Sequence, residues 1–436
     1  MALGKNHRNI KPKLKRELSL FELTMYGIGI ILGAGIYALI GKAAGVAGPA
    51  VWMSFFIGAI IAALTGLTYA ELGSMFPKEA AEYYYTKKAF KKPMISFIVG
   101  WMMMAVGIIA SATVALGFGG YLSNFTGIGV VAGALMLIIA CAFLNFWGIK
   151  QTVKANIIFT LIELAGLVII ILLAVPYFGT INYFETASGF SGIMAAAILI
   201  FFAYIGFEDI VNVAEETKNA RRNIPLALIF SIAVSTILYM LVSIAAVSVV
   251  DWQVLGQSAA PLADVADAAL PGSSIWLSII ALFATANTVL IIMLANSRII
   301  YGMAEQKALP RFLSAIHSTR NTPYKAIFVT FLVTMIFAVS GNIRTIAELT
   351  DFGIFFIFIF INASLIIARY KYPNMKRRFK TPINIGKFPV LSFLGLIFCA
   401  YMMTHFNLFV LELGVAIILI GAISHYVMKK MKIIKV

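Results

Sequence analysis

Three carboxylates stand where a carboxylate is costly. Glu163 lies inside NIIFTLIELAGLVIIILLAV (156–175), and Glu208 and Asp209 close the apolar run AILIFFAYIGF (197–207). An ionisable group at such depth is expensive and points to function by default. For Glu163, with Thr160 and Gly166 on its own helical face at i−3 and i+3, two readings stand. Burial favours the neutral acid, so the group is suited to carry a proton; alternatively it is a hydrogen-bonded acid tying two helices together. Glu208 and Asp209 follow Gly206. If the helix breaks near Tyr204–Gly206, both acids fall in the first turn of a second half-helix, where free N–H groups and the dipole favour negative charge. Capping and a direct gating or ion role are both open for Glu208 and Asp209. Glu71 and Glu412, near the ends of apolar runs, read as interfacial. Tyr204 and Phe207, beside that break, read either as gates of a pocket or as packing.

Glycine marks a second irregular place. The segment LTMYGIGIILGAGIYALIGKAAG (23–45) holds Gly27, Gly29, Gly33 and Gly35 within nine residues. Gly29-x-x-x-Gly33 fits close helix packing, whereas Gly33-Ala34-Gly35 fits unwound backbone. The same stretch fails as a phosphate loop, because the spacing is wrong and Lys42 is followed by Ala43. Four scattered histidines and two cysteines in apolar runs (Cys141, Cys399) suggest neither a metal cluster nor a disulfide framework. No metal site and no cofactor are expected.

The elements that hold these residues are apolar helices. The chain has 436 residues, 61% hydrophobic and 12% charged, against about 25% charged in ordinary soluble domains. Runs of about 20 apolar residues are long enough to cross a ~30 Å hydrocarbon core. Candidates lie near 20–44, 49–72, 95–118, 127–147, 155–178, 192–216, 226–250, 274–300, 325–341, 346–369, 388–405 and 408–428, the ninth being short. The expectation is an all-α polytopic membrane protein with 12 transmembrane helices. The runs are too long for barrel strands and lack their alternation, and the basic tail leads into the first span without a cleavage pattern.

The net charge of +16 suggests nucleic acid only when read alone. Placing the N-terminus in the cytoplasm puts 32 of the 34 Lys and Arg in inside segments and leaves Lys42 and Arg344 outside, as the positive-inside bias requires. No nucleic-acid partner is expected; the partner is the lipid bilayer, and the location a cell membrane crossed many times with both termini cytoplasmic. The two glycine-interrupted segments open two five-span halves, the pointer to inverted-repeat transporters. The resulting division is a basic cytoplasmic tail (1–19), two five-helix repeats (20–190 and 191–370), and two appended helices with a short cytoplasmic tail (371–436).

Six collinear stretches carry a family likeness: GAGIY (33–37), GPAVWMSFFIGAIIAALTGLTYAELGSMFP (48–77), LNFWGIK (144–150), FFAYIGFEDIVNVAEETKNARRNIPLAL (201–228), ANSRIIYGMAEQKALPRFLSAIH (295–317) and RYKYPNMKRRFKTP (369–382). In these the chain resembles the amino acid–polyamine–organocation superfamily of transporters over nearly its whole length. The resemblance implies a five-plus-five inverted repeat with two appended helices and alternating access. It implies a substrate carboxylate on the N–H groups of Gly33, Ala34 and Gly35, and an α-ammonium on the carbonyls of Ile31, Phe202, Ala203 and Ile205. Glycine at 33 and 35 then serves backbone approach rather than packing. By the same likeness Glu163 falls where some proton-coupled relatives have lysine and sodium-coupled relatives of the fold have an ion, which makes a proton the leading coupling partner and sodium the alternative. Thr285 and Thr288 are candidate sodium oxygens unless they bond their own backbone. In KEAAEYYY (78–85), Ala80 and Ala81 replace a glycine pair common in relatives, and 251–273 resembles an external lid.

The function implied is secondary active transport of amino acids, with Glu163, Glu208 and Tyr204 in coupling or gating. An amino acid exchanger, a sodium symporter and a non-transporting sensor are the alternatives; an enzyme would need a nucleophile–base set or metal ligands that the spans lack. The substrate side chain and oligomeric state are not encoded legibly. The topology predicts that a single Cys at position 219 is protected from an impermeant external thiol reagent while one at 124 is labelled; the converse pattern overturns it.

Overall fold

A computed structural model describes residues 14–258, 260–340 and 343–434; residues 1–13 of the basic tail and the side chains of Ala34, Phe202 and Arg344 lie outside the described part. The first helix starts where Ser19 accepts from Glu22 N–H while the Glu22 carboxylate accepts from Ser19 N–H, a reciprocal cap that satisfies two otherwise unpaired donors. From there the chain is almost entirely helical. Among the described residues, nine helices are long and apolar enough to cross a membrane, and Gly189–Phe201, Tyr324–Val339 and Val390–Met403 are shorter apolar helices. Large apolar side chains such as Phe143, Leu172, Ile237 and Ile336 are exposed around the bundle, the surface expected of a protein solvated by lipid.

Two helices are interrupted. Leu20–Leu32 stops at Gly33 (φ −33°, ψ −154°) and resumes as Ala34–Ala47. Gly189–Phe201 gives way to a 3-10 turn at Phe202–Tyr204, and after Gly206 (φ 118°) a second 3-10 helix runs Phe207–Glu216. The φ at 206 lies in the region that favours glycine. The acids therefore open a 3-10 helix rather than an α-helix.

Around the breaks, Leu20–Leu32 packs against Ile149–Ala174, Ala220–Val249 and Ser274–Glu305, whereas Ala34–Ala47 packs on Gly189–Phe201 and on a short helix, Trp252–Gln257. That short helix and Pro261–Ala269 occupy the segment expected as a lid. At the opposite end, Glu17 and Leu18 N–H donate to Glu216 O, and Lys218 N–H donates to Leu18 O, tying the entry of the first interrupted helix to the exit of the second. Basic residues from separated segments (Arg16, Lys78, Arg221, Lys307, Arg311, Arg378) gather there around one vestibule.

Glu71 is not interfacial. It is fully buried; its carboxylate accepts from Arg369 Nε (2.9 Å) and Nη2 (2.5 Å) and from Thr381 N–H and hydroxyl (2.8 and 2.9 Å), and Arg377 Nε lies 3.1 Å away. The segment after the tenth apolar run folds back to make this contact, so the acid is covered by residues some 300 positions later. Glu412, by contrast, is exposed. Removing one partner from such a pair leaves a buried charge unmatched. Arg369→Met is therefore expected to cost about 3–5 kcal/mol, read as a lowered thermal midpoint in detergent. The Glu71→Leu/Arg369→Met double variant should lose less than the sum of the single variants; strict additivity would contradict the pairing.

Candidate substrate site at the helix breaks

The two interruptions face each other. A Cβ on Gly35 would stand 3.0 Å from Ala203 Cα and 3.2 Å from Ala203 Cβ, so only a hydrogen fits between the breaks. Interrupted helices leave carbonyls at the end of the first half and N–H groups at the start of the second without intrahelical partners. Tyr239, from Ala220–Val249, reaches both: its hydroxyl lies 2.5 Å from Ile31 O and 3.1 Å from Ala203 O. One hydroxyl carries one hydrogen and donates to one of these oxygens at a time. Tyr204 packs edge-on against Tyr239, at 5.3 Å between centroids, and donates to Phe55 O at 3.0 Å.

Beside the breaks is a small cavity of about 100 Å³, well below the several hundred Å³ of ordinary ligand pockets. Ile31, Gly33, Gly35, Ala203 and Ile205 line it, joined by Glu208, Asp209, Thr288 and Asn296. Five of the seven residues expected to bind substrate thus meet at one space. Ala34 and Phe202 contribute backbone beside it. Asn296 donates to Met104 O at 3.1 Å, while its side-chain oxygen, on the cavity wall, has no partner.

Glu208 folds back as a cap, accepting from Gly206 N–H at 2.9 Å, which pairs one donor freed by the break. Phe207 packs edge-on against Tyr69 and against Phe358. Glu163 sits apart from the cavity, in a buried polar cluster. Its Oε1 accepts from Asn287 Nδ2 (3.0 Å), which also reaches Thr160 Oγ1 (3.1 Å); Asn156 Nδ2 in turn donates to Asn287 Oδ1 (2.9 Å). Glu163 Oε2 and Asn156 Oδ1 have no partner. Gly29 closes this cluster, since a Cβ there would fall 2.1 Å from Thr160 Oγ1. Thr285 and Thr288 donate to carbonyls one turn back, Ala281 O and Ala284 O, which uses their hydroxyl hydrogens within their own helix. Among the described residues, no group of three or more His, Cys, Asp or Glu is arranged to hold a metal ion.

Sequence reasoning missed Tyr239, Asn287 and Asn156. A lone amide inside an apolar run is the signal that marks the asparagines; for Tyr239, one of 17 tyrosines, there is none.

A family model described as amino acid permease matches residues 18–423. The chain belongs to the amino acid permease family. It is a multi-pass membrane transporter and not an enzyme. The branched-chain amino acid permease BcaP of Bacillus subtilis (strain 168) is 30% identical, across 95% of this chain and 93% of that one. The methylthioribose transporter of the same organism is 28% identical, across 87% and 86%. Cationic amino acid transporter 4 of Homo sapiens is 29% identical across 83% of this chain, which spans 61% of that protein.

Because Gly35 is wedged against Ala203, Gly35→Val is expected to push the breaks apart and fill the cavity. Equilibrium binding of a labelled amino acid should weaken at least tenfold, about 1.4 kcal/mol; binding at full affinity would contradict this placement of the site.

Proposed function

We propose that this permease is a proton-coupled secondary transporter that carries amino acids across the cell membrane by alternating access. The observation that carries the reading is the bridging of two facing helix breaks by Tyr239, beside a small cavity. In this reading the substrate carboxylate lies on the N–H groups of Gly33, Ala34 and Gly35, where a half-helix begins. The ammonium takes the carbonyls of Ile31, Phe202, Ala203 and Ile205. Two of these, Ile31 and Ala203, are acceptors of Tyr239, so substrate and hydroxyl compete for the same oxygens.

The architecture that goes with this reading has twelve spans, the three shorter apolar helices completing the nine longer ones. Residues 20–190 and 191–370 form the two repeats, and the breaks at Gly33 and Gly206 fall in the first helix of each. Both termini lie in the cytoplasm, with the basic vestibule on that side.

Glu163 is the proposed coupling group. A protonated carboxyl satisfies Oε2 by donating from it, and Asn156 Oδ1 is an unpartnered acceptor in the same cluster. The same two free oxygens, with Thr160 Oγ1, favour a second reading in which a sodium ion binds there. Glu208 caps the second half-helix and so acts on gating through the break itself.

In proteoliposomes, an inward proton gradient should drive accumulation of a labelled amino acid, whereas a sodium gradient alone should not; accumulation on sodium alone selects the second reading. Glu163→Gln should abolish gradient-driven accumulation and leave exchange of internal for external substrate. Concentrative uptake unchanged in that variant would remove Glu163 from coupling.

A further inference from the structure

Beneath the cavity, toward the basic end, lies a second group of buried acids that transport of substrate past Glu163 does not use. Glu79 and Glu82 flank the start of the helix Ala81–Phe90 and are buried. Glu82 takes both its oxygens to Asn212 Nδ2 (3.2 and 3.1 Å), and Asn212 Oδ1 accepts from Ala81 N–H (3.0 Å). Asn212 belongs to Phe207–Glu216, the inner half of the sixth span, so this reciprocal contact latches that half to the connecting helix. Glu79 Oε1 accepts from Glu215 N–H (3.2 Å) on the same half, and its other oxygen has no partner. One turn away, Arg298 donates from Nε and Nη2 to the two oxygens of Glu216 (2.9 and 3.2 Å). Ala80, between the two acids, takes a left-handed conformation (φ 50°, ψ 52°). An inner opening of the carrier has to separate the elements joined here.

We propose that Glu82 is a proton-binding site of the inner gate: the protonated acid holds the gate shut, and ionisation favours the open, hydrated form. This rests on the carrier reading, because it requires inner-closed and inner-open states. In the closed state burial pushes the Glu82 carboxyl up to about 7, against 4.5 for an ordinary glutamate, although the Asn212 amide opposes the rise. Opening admits water and returns the group to its ordinary range. A proton held more tightly in the closed state stabilises that state, so low cytoplasmic pH closes the gate and high pH opens it.

Among the described residues, no cation compensates Glu82. Tyr69 from the second span and Tyr85 from its own helix face it, as do Glu208 and Asp209 from the sixth span. Helix Pro93–Thr126 brings no charged residue. Of the nearby cations, Arg298 is held by Glu216, Arg369 by Glu71, and Lys371 donates to Ala89 O. Glu79, also buried, rises through burial and then through Glu216 and Glu215.

The test reads the gate without substrate. In a background carrying Cys141→Ser and Cys399→Ser, Ala110→Cys places a thiol on the cavity wall, to be labelled by an impermeant maleimide in inside-out vesicles. Labelling, corrected for the intrinsic pH dependence of the thiol, should rise about tenfold from pH 6 to pH 8. Glu82→Gln should remain at the low level throughout, and Glu82→Asp should keep a pH response. Asn212→Ala, which removes the latch itself, should label at pH 6 well above the parent; Glu82→Asp decides the matter if Glu82→Gln fails to fold. A full pH response in Glu82→Gln, loss of the pH response in Glu82→Asp, or parent-level labelling of Asn212→Ala at pH 6 overturns the proposal. PH-independent labelling of the parent overturns it while leaving the carrier reading intact; absence of labelling at every pH overturns both.

Discussion

A helix broken inside hydrocarbon leaves polar backbone with no water to satisfy it. The rest of this molecule is arranged around two such breaks, at Gly33 and at Phe202–Gly206. Each break is tolerable because another element supplies the missing partner: Tyr239 at the carbonyls of Ile31 and Ala203, Glu208 at the N–H of Gly206. These partners are few and movable. A side-chain hydroxyl can leave a carbonyl without disturbing either helix, whereas a backbone ladder cannot. The site is therefore held by contacts that a ligand of the right chemistry is able to replace.

The same logic separates the polar clusters by role. Around Glu71, both carboxylate oxygens are matched by Arg369 and Thr381, and a carboxylate so satisfied fixes one arrangement of the elements it joins. Around Glu163 and around Glu79, oxygens are left unmatched. Incomplete satisfaction in a buried place calls for an explanation, and a proton or small cation that comes and goes supplies one. The Glu71 cluster joins Val51–Met75 to the end of Ile343–Lys371 and the segment after it, whereas the incomplete ones touch the interrupted helices.

What could be read from the sequence follows from cost. Glycine inside a span and acid at membrane depth both carry a penalty, so Gly33, Gly206, Glu163 and Glu208 stand out from their surroundings; Gly33, Gly206 and Glu208 lie at the breaks, and Glu163 lies in a separate buried cluster with Asn287. Tyr239 carries no such mark: a tyrosine in an apolar run is ordinary packing until the fold aims its hydroxyl at two freed carbonyls. Glu71 was misjudged because nearness to a span end says nothing about cover supplied from Arg369 onward. Pairing between Asn212 and Glu82 was equally out of reach, since 130 residues separate them and only packing brings them together. Nor does composition tell a 3-10 helix from an α-helix.

That last distinction has a mechanical side. Runs of 3-10 helix longer than three or four residues are uncommon, and Phe207–Glu216 is two helical stretches joined at a kink, where Val213 leaves the helical region (φ −112°, ψ 24°). Its two ends are anchored differently, one at the cavity by Gly206 and one at the basic vestibule by the backbone of Leu18. The kink at Val213 is thus a joint between two separately anchored ends, a place where one can turn against the other without unwinding either.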